Sequence, residues 1–143
     1  PKSVWEEERQ KRKDAVKTDA EFTAYGFDID PIVLETAKKN ADKAGVGKYI
    51  KFFRADVKKF EPRENSTVIT NPPYGERLGD LQQAVTLEKV LAKRLELNPV
   101  KSYYVITSDG EFENNFGKKR TKRRKLYTGM IPCQLYMYFG ERK

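Results

Sequence analysis

The feature that most constrains this chain is an alternation of short β-prone runs with amphipathic helical stretches. Phe22 to Asp28 is rich in aromatic residues and closes on an acid, as a strand does where it meets a turn. Asp30 follows as a natural N-cap and Pro31 suits the first helical position. Val33, Leu34, Ala37, Ala41 and Ala44 then share one helical face, and Gly45 stops the helix. Tyr49 to Arg54, ending at Asp56, predicts a second strand. Thr67 to Thr70 predicts a third, short and apolar like a buried parallel strand. Asp80 with Gln83 predicts a capping box ahead of a helical stripe of Leu81, Ala84, Val85, Leu91 and Leu95. Ser102 to Thr107 reads as a fourth strand and Gly110 to Phe116 as a short helix. Lys125 to Thr128 and Gln134 to Phe139 read as a hairpin joined across Gly129 to Cys133. The charged opening from Ser3 to Val16, with Val4, Trp5 and Ala15 among its few apolar members, predicts a surface helix. Together these elements predict an α/β sheet, mostly parallel, with an antiparallel C-terminal hairpin.

At 143 residues the chain has room for one compact domain, and no linker or repeat marks a boundary inside it. Its formal net charge of +8, reached without any histidine, favours polyanionic partners, of which RNA and DNA are the ordinary candidates. Cys133 is the sole cysteine, which excludes an internal disulfide and a cysteine-held zinc cluster and fits a cytoplasmic setting. No apolar run approaches the roughly 18 residues that a membrane-spanning helix needs. Neither a membrane nor a metal is expected among its partners. The chain opens on Pro1 within a stretch that is already charged and helix-like, so it reads as a portion of something longer.

The residues with the clearest chemistry are Asn71-Pro72-Pro73-Tyr74, directly after the Thr67 to Thr70 strand. Ligands of open α/β sheets gather beyond the carboxyl ends of the strands. An asparagine carbonyl oxygen and a neighbouring backbone carbonyl can each accept a hydrogen bond from one planar amino group. The two prolines stiffen the turn, and Pro73 brings no N–H to compete. Tyr74 offers a ring on which a base can stack, typically worth about 1–3 kcal/mol. Two acceptors that aim a nitrogen lone pair at an electrophile catalyse by positioning. Asp28, at the end of its strand, can accept from both hydroxyls of a ribose. Asp30 competes for that role, although helix capping already explains it. Asp56 can accept from the amino group of an adenine. Lys118, Lys119, Arg120, Lys122, Arg123, Arg124 and Lys125 form the densest charge in the chain, read as a loop in contact with nucleic-acid phosphates.

Tyr25-Gly-Phe-Asp28-Ile-Asp30-Pro31, Ala44-Gly45-Val46, Asp56 and Asn71-Pro-Pro-Tyr-Gly-Glu-Arg-Leu-Gly79 resemble class I methyltransferases that act on amino groups of nucleic acids. Gly75-Glu-Arg-Leu-Gly79, Phe116-Gly-Lys-Lys119, Arg124-Lys-Leu-Tyr127 and Gly129 are similar to the bacterial THUMP-domain ribosomal RNA guanine-N2 methyltransferases, whose older label is N6-adenine-specific DNA methylase. The resemblance runs from about Tyr25 to Gly140. It implies a Rossmann-like sheet, S-adenosylmethionine as cofactor, no metal, and ribosomal RNA (23S guanine N2) as target. It assigns Asp28 to the cofactor ribose, Asp56 to its adenine, and Asn71, Pro72 and Tyr74 to a target-base clamp beside the cofactor.

The family's glycine-rich loop has no counterpart here, since Gly45-Val-Gly47 follows a helix. Its first strand, that loop and the THUMP domain are therefore expected upstream of Pro1. That strand is central in the family's sheet, between those beginning near Phe22 and Thr67. Without it two apolar edges lie open, and the 143 residues alone are expected to bind S-adenosylmethionine poorly. Adenine N6 in DNA or RNA and a protein glutamine share the same clamp logic. A basic RNA-binding module without catalysis is the alternative from another class, although it gains little from keeping Asn71, Asp28 and Asp56 together.

Overall fold

A computed structural model of the chain describes residues 2–17, 21–73, 80–98 and 100–140; of Asp80 and Leu81 it describes the backbone only. The elements are α1 (Lys2–Asp14), β1 (Ala24–Asp28), α2 (Pro31–Lys43), β2 (Ile50–Arg54), β3 (Thr67–Thr70), α3 (Asp80–Leu97), β4 (Ser102–Thr107), α4 (Phe112–Phe116), β5 (Lys122–Thr128) and β6 (Ile131–Phe139). Short 3-10 turns at Gly47–Tyr49 and Val57–Lys59 flank β2. The chain divides into two compact units, residues 1–54 and 55–143, each with its own sheet. No glycine, proline or serine marks the division at Arg54-Ala55, so the sequence carries no linker signal there.

In the first unit β1 and β2 pair in parallel, from Ala24 opposite Ile50 to Asp28 opposite Arg54. Between them α2 makes the crossover, packed against both strands. Its start follows the local chemistry closely. Asp30 caps it by accepting from the Ile32 N–H at 2.8 Å, and Pro31 stands in the first turn. After the helix Gly45 takes a φ of 72°, the left-handed conformation that a side chain resists. Only part of the predicted apolar face is covered: Ala41 is buried and Leu34 and Ala37 half-buried, while Val33 and Ala44 are exposed. The predicted surface helix is present as α1, which buries none of its residues.

The second unit carries the larger core. Its sheet has the order β3-β4-β6-β5, with β3 and β4 parallel and β6 antiparallel to both β4 and β5. β4 and β6 supply Tyr103, Val105, Tyr136 and Tyr138, which meet Phe112 and Phe116 of α4 and Leu91 and Leu95 of α3. The rings pack tightly, with Tyr103 and Tyr138 centroids 4.4 Å apart and Phe112 and Tyr136 centroids 4.7 Å apart. Such contacts add directional attraction to the burial of large apolar surfaces. Burial pushes the Tyr103 phenol up to about 12.

Two sequence expectations change. The hairpin is longer than predicted: β5 begins at Lys122 rather than Lys125, and only Gly129 and Met130 separate it from β6. Lys122, Arg123 and Arg124 therefore belong to a strand, not a loop. β6 offers them a full backbone ladder, and every side chain of β5 stays in water, so pairing carries no burial cost for charge. Gly129 turns the chain with a φ of 61°. The second concerns Asp80: its backbone is the first of α3, and the side chain expected to cap that helix lies outside the described residues.

Candidate functional site

Asn71 follows β3 directly and is exposed, at the carboxyl end of a parallel strand pair. Pro72 is half-buried and Pro73 exposed. Tyr74 and the Gly75 to Gly79 extension lie outside the described residues. β3 holds its register through the parallel ladder to β4, supported by a hydroxyl pair, Thr67 with Ser102, at 3.0 Å.

In the first unit Asp28 ends β1 half-buried. One of its carboxylate oxygens accepts the Asp30 N–H at 2.9 Å; the other makes no hydrogen bond within the described residues. Arg54 donates from its Nε to the Ile29 carbonyl at 3.0 Å, fixing the turn between Asp28 and Asp30 against the end of β2. Asp30 is occupied as the cap of α2. Asp56, half-buried in the second unit, caps the next turn by accepting the Lys58 N–H at 2.8 Å. Each of the three acids thus has a local structural task.

The basic run splits between two settings. Lys118, Lys119 and Arg120 line an open hollow of about 700 Å³ with Glu113, Asn114, Gly117 and Thr121. Arg120 donates its main-chain N–H to Glu113 Oε1 at 2.8 Å and its guanidinium to Oε2. Lys122, Arg123 and Arg124 stand on β5, all exposed. Asn71 does not line the hollow.

One group went unnoticed in the sequence. Glu88 on α3 is 1% exposed, and neither carboxylate oxygen has a hydrogen-bond partner among the described residues. Desolvation by burial, then the Asp109 carboxylate beside it, push its pKa from 4.5 up to about 7, against the opposing pull of the Asn115 amide. Asp109 also accepts from Asn115 at 2.9 Å, and its own N–H donates to buried Thr107 at 3.0 Å. The cluster lies just past the carboxyl end of β4. A signal existed: Ala84, Glu88, Leu91 and Leu95 follow one another at helical spacing, so an acid stands in the apolar stripe.

Among the described residues no group of three metal-binding side chains occurs, and no helix is long and apolar enough to cross a membrane. Parallel strands with a crossover helix, a strand-end acid, an exposed Asn-Pro-Pro turn and a closing antiparallel hairpin together define a class I methyltransferase domain. Residues 2–137 match the family model described as RMKL-like, methyltransferase domain (UPF0020), and the chain belongs to that family. The Bacillus subtilis (strain 168) protein named "Putative RNA methyltransferase YpsC" is 35% identical over 98% of this chain and 37% of its own length. The Ribosomal RNA large subunit methyltransferase K/L of Pseudomonas entomophila (strain L48) is 31% identical over 92% of this chain and 19% of its own. The solved structure described as "SMU.472, a putative methyltransferase complexed with SAH" superposes with a TM-score of 0.82. It is 33% identical, over 94% of this chain and 36% of that one. The chain thus spans well under half the length of each of these three relatives.

Proposed function

We propose that the protein methylates an exocyclic amino nitrogen of an RNA base, with S-adenosylmethionine as cofactor and guanine N2 of 23S ribosomal RNA as target. The observation that carries the proposal is the exposed position of Asn71 at the carboxyl end of β3. There its carbonyl oxygen, with the backbone carbonyl beside it, can accept both hydrogens of one NH₂ and hold the lone pair in a fixed direction. Pro72 and Pro73 keep that turn stiff, and Tyr74 supplies the ring on which the base lies.

The residues present fit the cofactor. Asp28, half-buried at the end of β1 with one oxygen accepting the Asp30 N–H, is assigned the ribose hydroxyls. Asp56 is assigned the adenine amino group and Asp30 the support of Asp28. When bound, S-adenosylmethionine supplies an electrophilic methyl group. The chain's own part is to orient the amine and keep its lone pair aimed. RNA as the substrate class is supported by the names of the curated relatives and by the +8 charge. Lys118, Lys119, Lys122, Arg123 and Arg124 are assigned to its phosphates, while Arg120 is held by Glu113. The chain is read as part of a catalytic domain, with a first strand, its glycine-rich loop and a THUMP domain expected ahead of it.

Asn71→Ala in the protein as encoded tests the reading. Methyl transfer to ribosomal RNA should collapse while RNA binding survives, and nucleoside mass spectrometry of the wild-type product should report N2-methylguanosine. Unaltered transfer by the variant would remove the clamp. N6-methyladenosine as the product would replace the base.

A further inference from the structure

The β5–β6 hairpin carries a chemistry that the methyl-transfer site does not use. Lys122, Arg123, Arg124 and Lys125 follow one another along β5 without an intervening acid, and every residue of the strand is exposed. β5 is an edge of its sheet, so its outer face has no covering strand. Strand alternation sends Arg123, Lys125 and Tyr127 to one side and Lys122 and Arg124 to the other, so cations flank the edge on both sides. On the first side the Lys125 ammonium lies 5.5 Å from the centroid of the Tyr127 ring, which is 64% exposed. The ring is thus charged on one face by its neighbour and otherwise bathed in water. Large aromatic surfaces held in that way are what unstacked bases lie against.

The cations before β5 are differently committed. Lys118 places its ammonium 5.7 Å from the Tyr103 ring centroid, and its carbonyl accepts the Tyr138 hydroxyl at 3.1 Å. Arg120 gives both its main-chain N–H and its guanidinium to Glu113. A phosphate would have to displace that carboxylate to reach Arg120. Along β5 it would displace only water and mobile counterions, which is the favourable exchange in nucleic-acid binding.

Resting on the RNA-methyltransferase reading, we propose that β5 is a binding arm for single-stranded RNA, in which Lys122 to Lys125 track the phosphates and Tyr127 stacks a base. Arg120 holds the α4–β5 connection and contributes little to the contact. A single strand is specified because Tyr127 needs an unstacked base, which a paired helix does not present.

The test is fluorescence anisotropy on the protein as encoded, with a labelled single-stranded RNA of roughly 12 nucleotides, repeated across a series of potassium chloride concentrations. Tyr127→Ala should weaken binding about 5- to 100-fold without changing the slope of log affinity against log salt, and Tyr127→Phe should restore it. Replacing Lys122, Arg123, Arg124 and Lys125 together with Gln should flatten that slope by about 2 to 3. Arg120→Gln should leave the slope unchanged and lower the thermal midpoint. Full affinity in Tyr127→Ala, a Phe variant as damaged as the Ala variant, or an unchanged slope in the quadruple variant would overturn the arm. So would loss of binding to anionic phosphatidylserine vesicles in the quadruple variant with RNA affinity intact. The readout needs no catalysis. Asn71→Ala that keeps full methyl transfer would therefore defeat the catalytic reading while the anisotropy still judged the arm.

Discussion

Glu88→Gln isolates an acid that the second unit buries beside Asp109 and Asn115. Glu88 is 1% exposed, and its pKa is raised from 4.5 to about 7 by burial and then by the Asp109 carboxylate. Between those values the folded chain keeps a proton that the unfolded chain has released. Stability is therefore full below pH 4.5, falls as pH rises through that window, and levels off above about 7. The displacement amounts to about 3 kcal/mol between the two ends. That is a large fraction of the few kcal/mol by which a small domain is stable. Gln has the shape of the protonated acid, can donate to Asp109, and carries no charge at any pH. Urea denaturation of wild type and Glu88→Gln at pH 5 and pH 8 measures the effect directly. The two should nearly coincide at pH 5, with the variant more stable at pH 8 by up to about 3 kcal/mol. Parallel stability curves, with a difference independent of pH, would refute the assignment of a protonated Glu88.

Other outcomes can be checked with simple variants. Asp28→Ala in the protein as encoded should weaken S-adenosylmethionine binding in calorimetry more than Asp30→Ala does, because Asp28 is the acid assigned to the cofactor ribose whereas Asp30 caps α2. Phe112→Ala, which removes a ring with 0% exposure stacked between Phe116 and Tyr136, should cost about 3–5 kcal/mol in denaturant unfolding. Gly129→Val should destabilise the hairpin by about 1–2 kcal/mol, since a β-branched side chain resists the positive φ there. The 143 residues by themselves should self-associate with rising concentration in gel filtration, because β1 and β3 each have a hydrogen-bonded neighbour on one side only.

The strands Thr67–Thr70 and Ser102–Thr107 were legible to the residue, because β-branched and aromatic runs there are bounded by polar turns. The helix α2 was legible at both ends for the same local reasons: Asp30-Pro31 opens it and Gly45 closes it. Tertiary context explains what was missed. Four consecutive cations argue for a solvated loop until β6 is seen to offer them a partner. Glu88 was passed over because an acid is expected on the wet face of a helix, and only the packing of α4 on α3 shows that its face is dry. At the candidate site, Asn71 was identifiable from its position after an apolar strand. That Asp56 caps a turn of its own required coordinates, since the same residue type serves caps and ligands equally well.

β6 divides its labour in a way that has consequences for how such a protein can vary. Toward the interior it places Tyr136 and Tyr138 in the aromatic cluster, and along its outer margin it carries β5 chiefly by an antiparallel backbone ladder. Because that ladder is indifferent to side-chain identity, charges on β5 can be gained, lost or rearranged with little effect on folding. Surface charge on β5 and thermodynamic robustness are thereby uncoupled, and a lineage can retune one while leaving the other untouched.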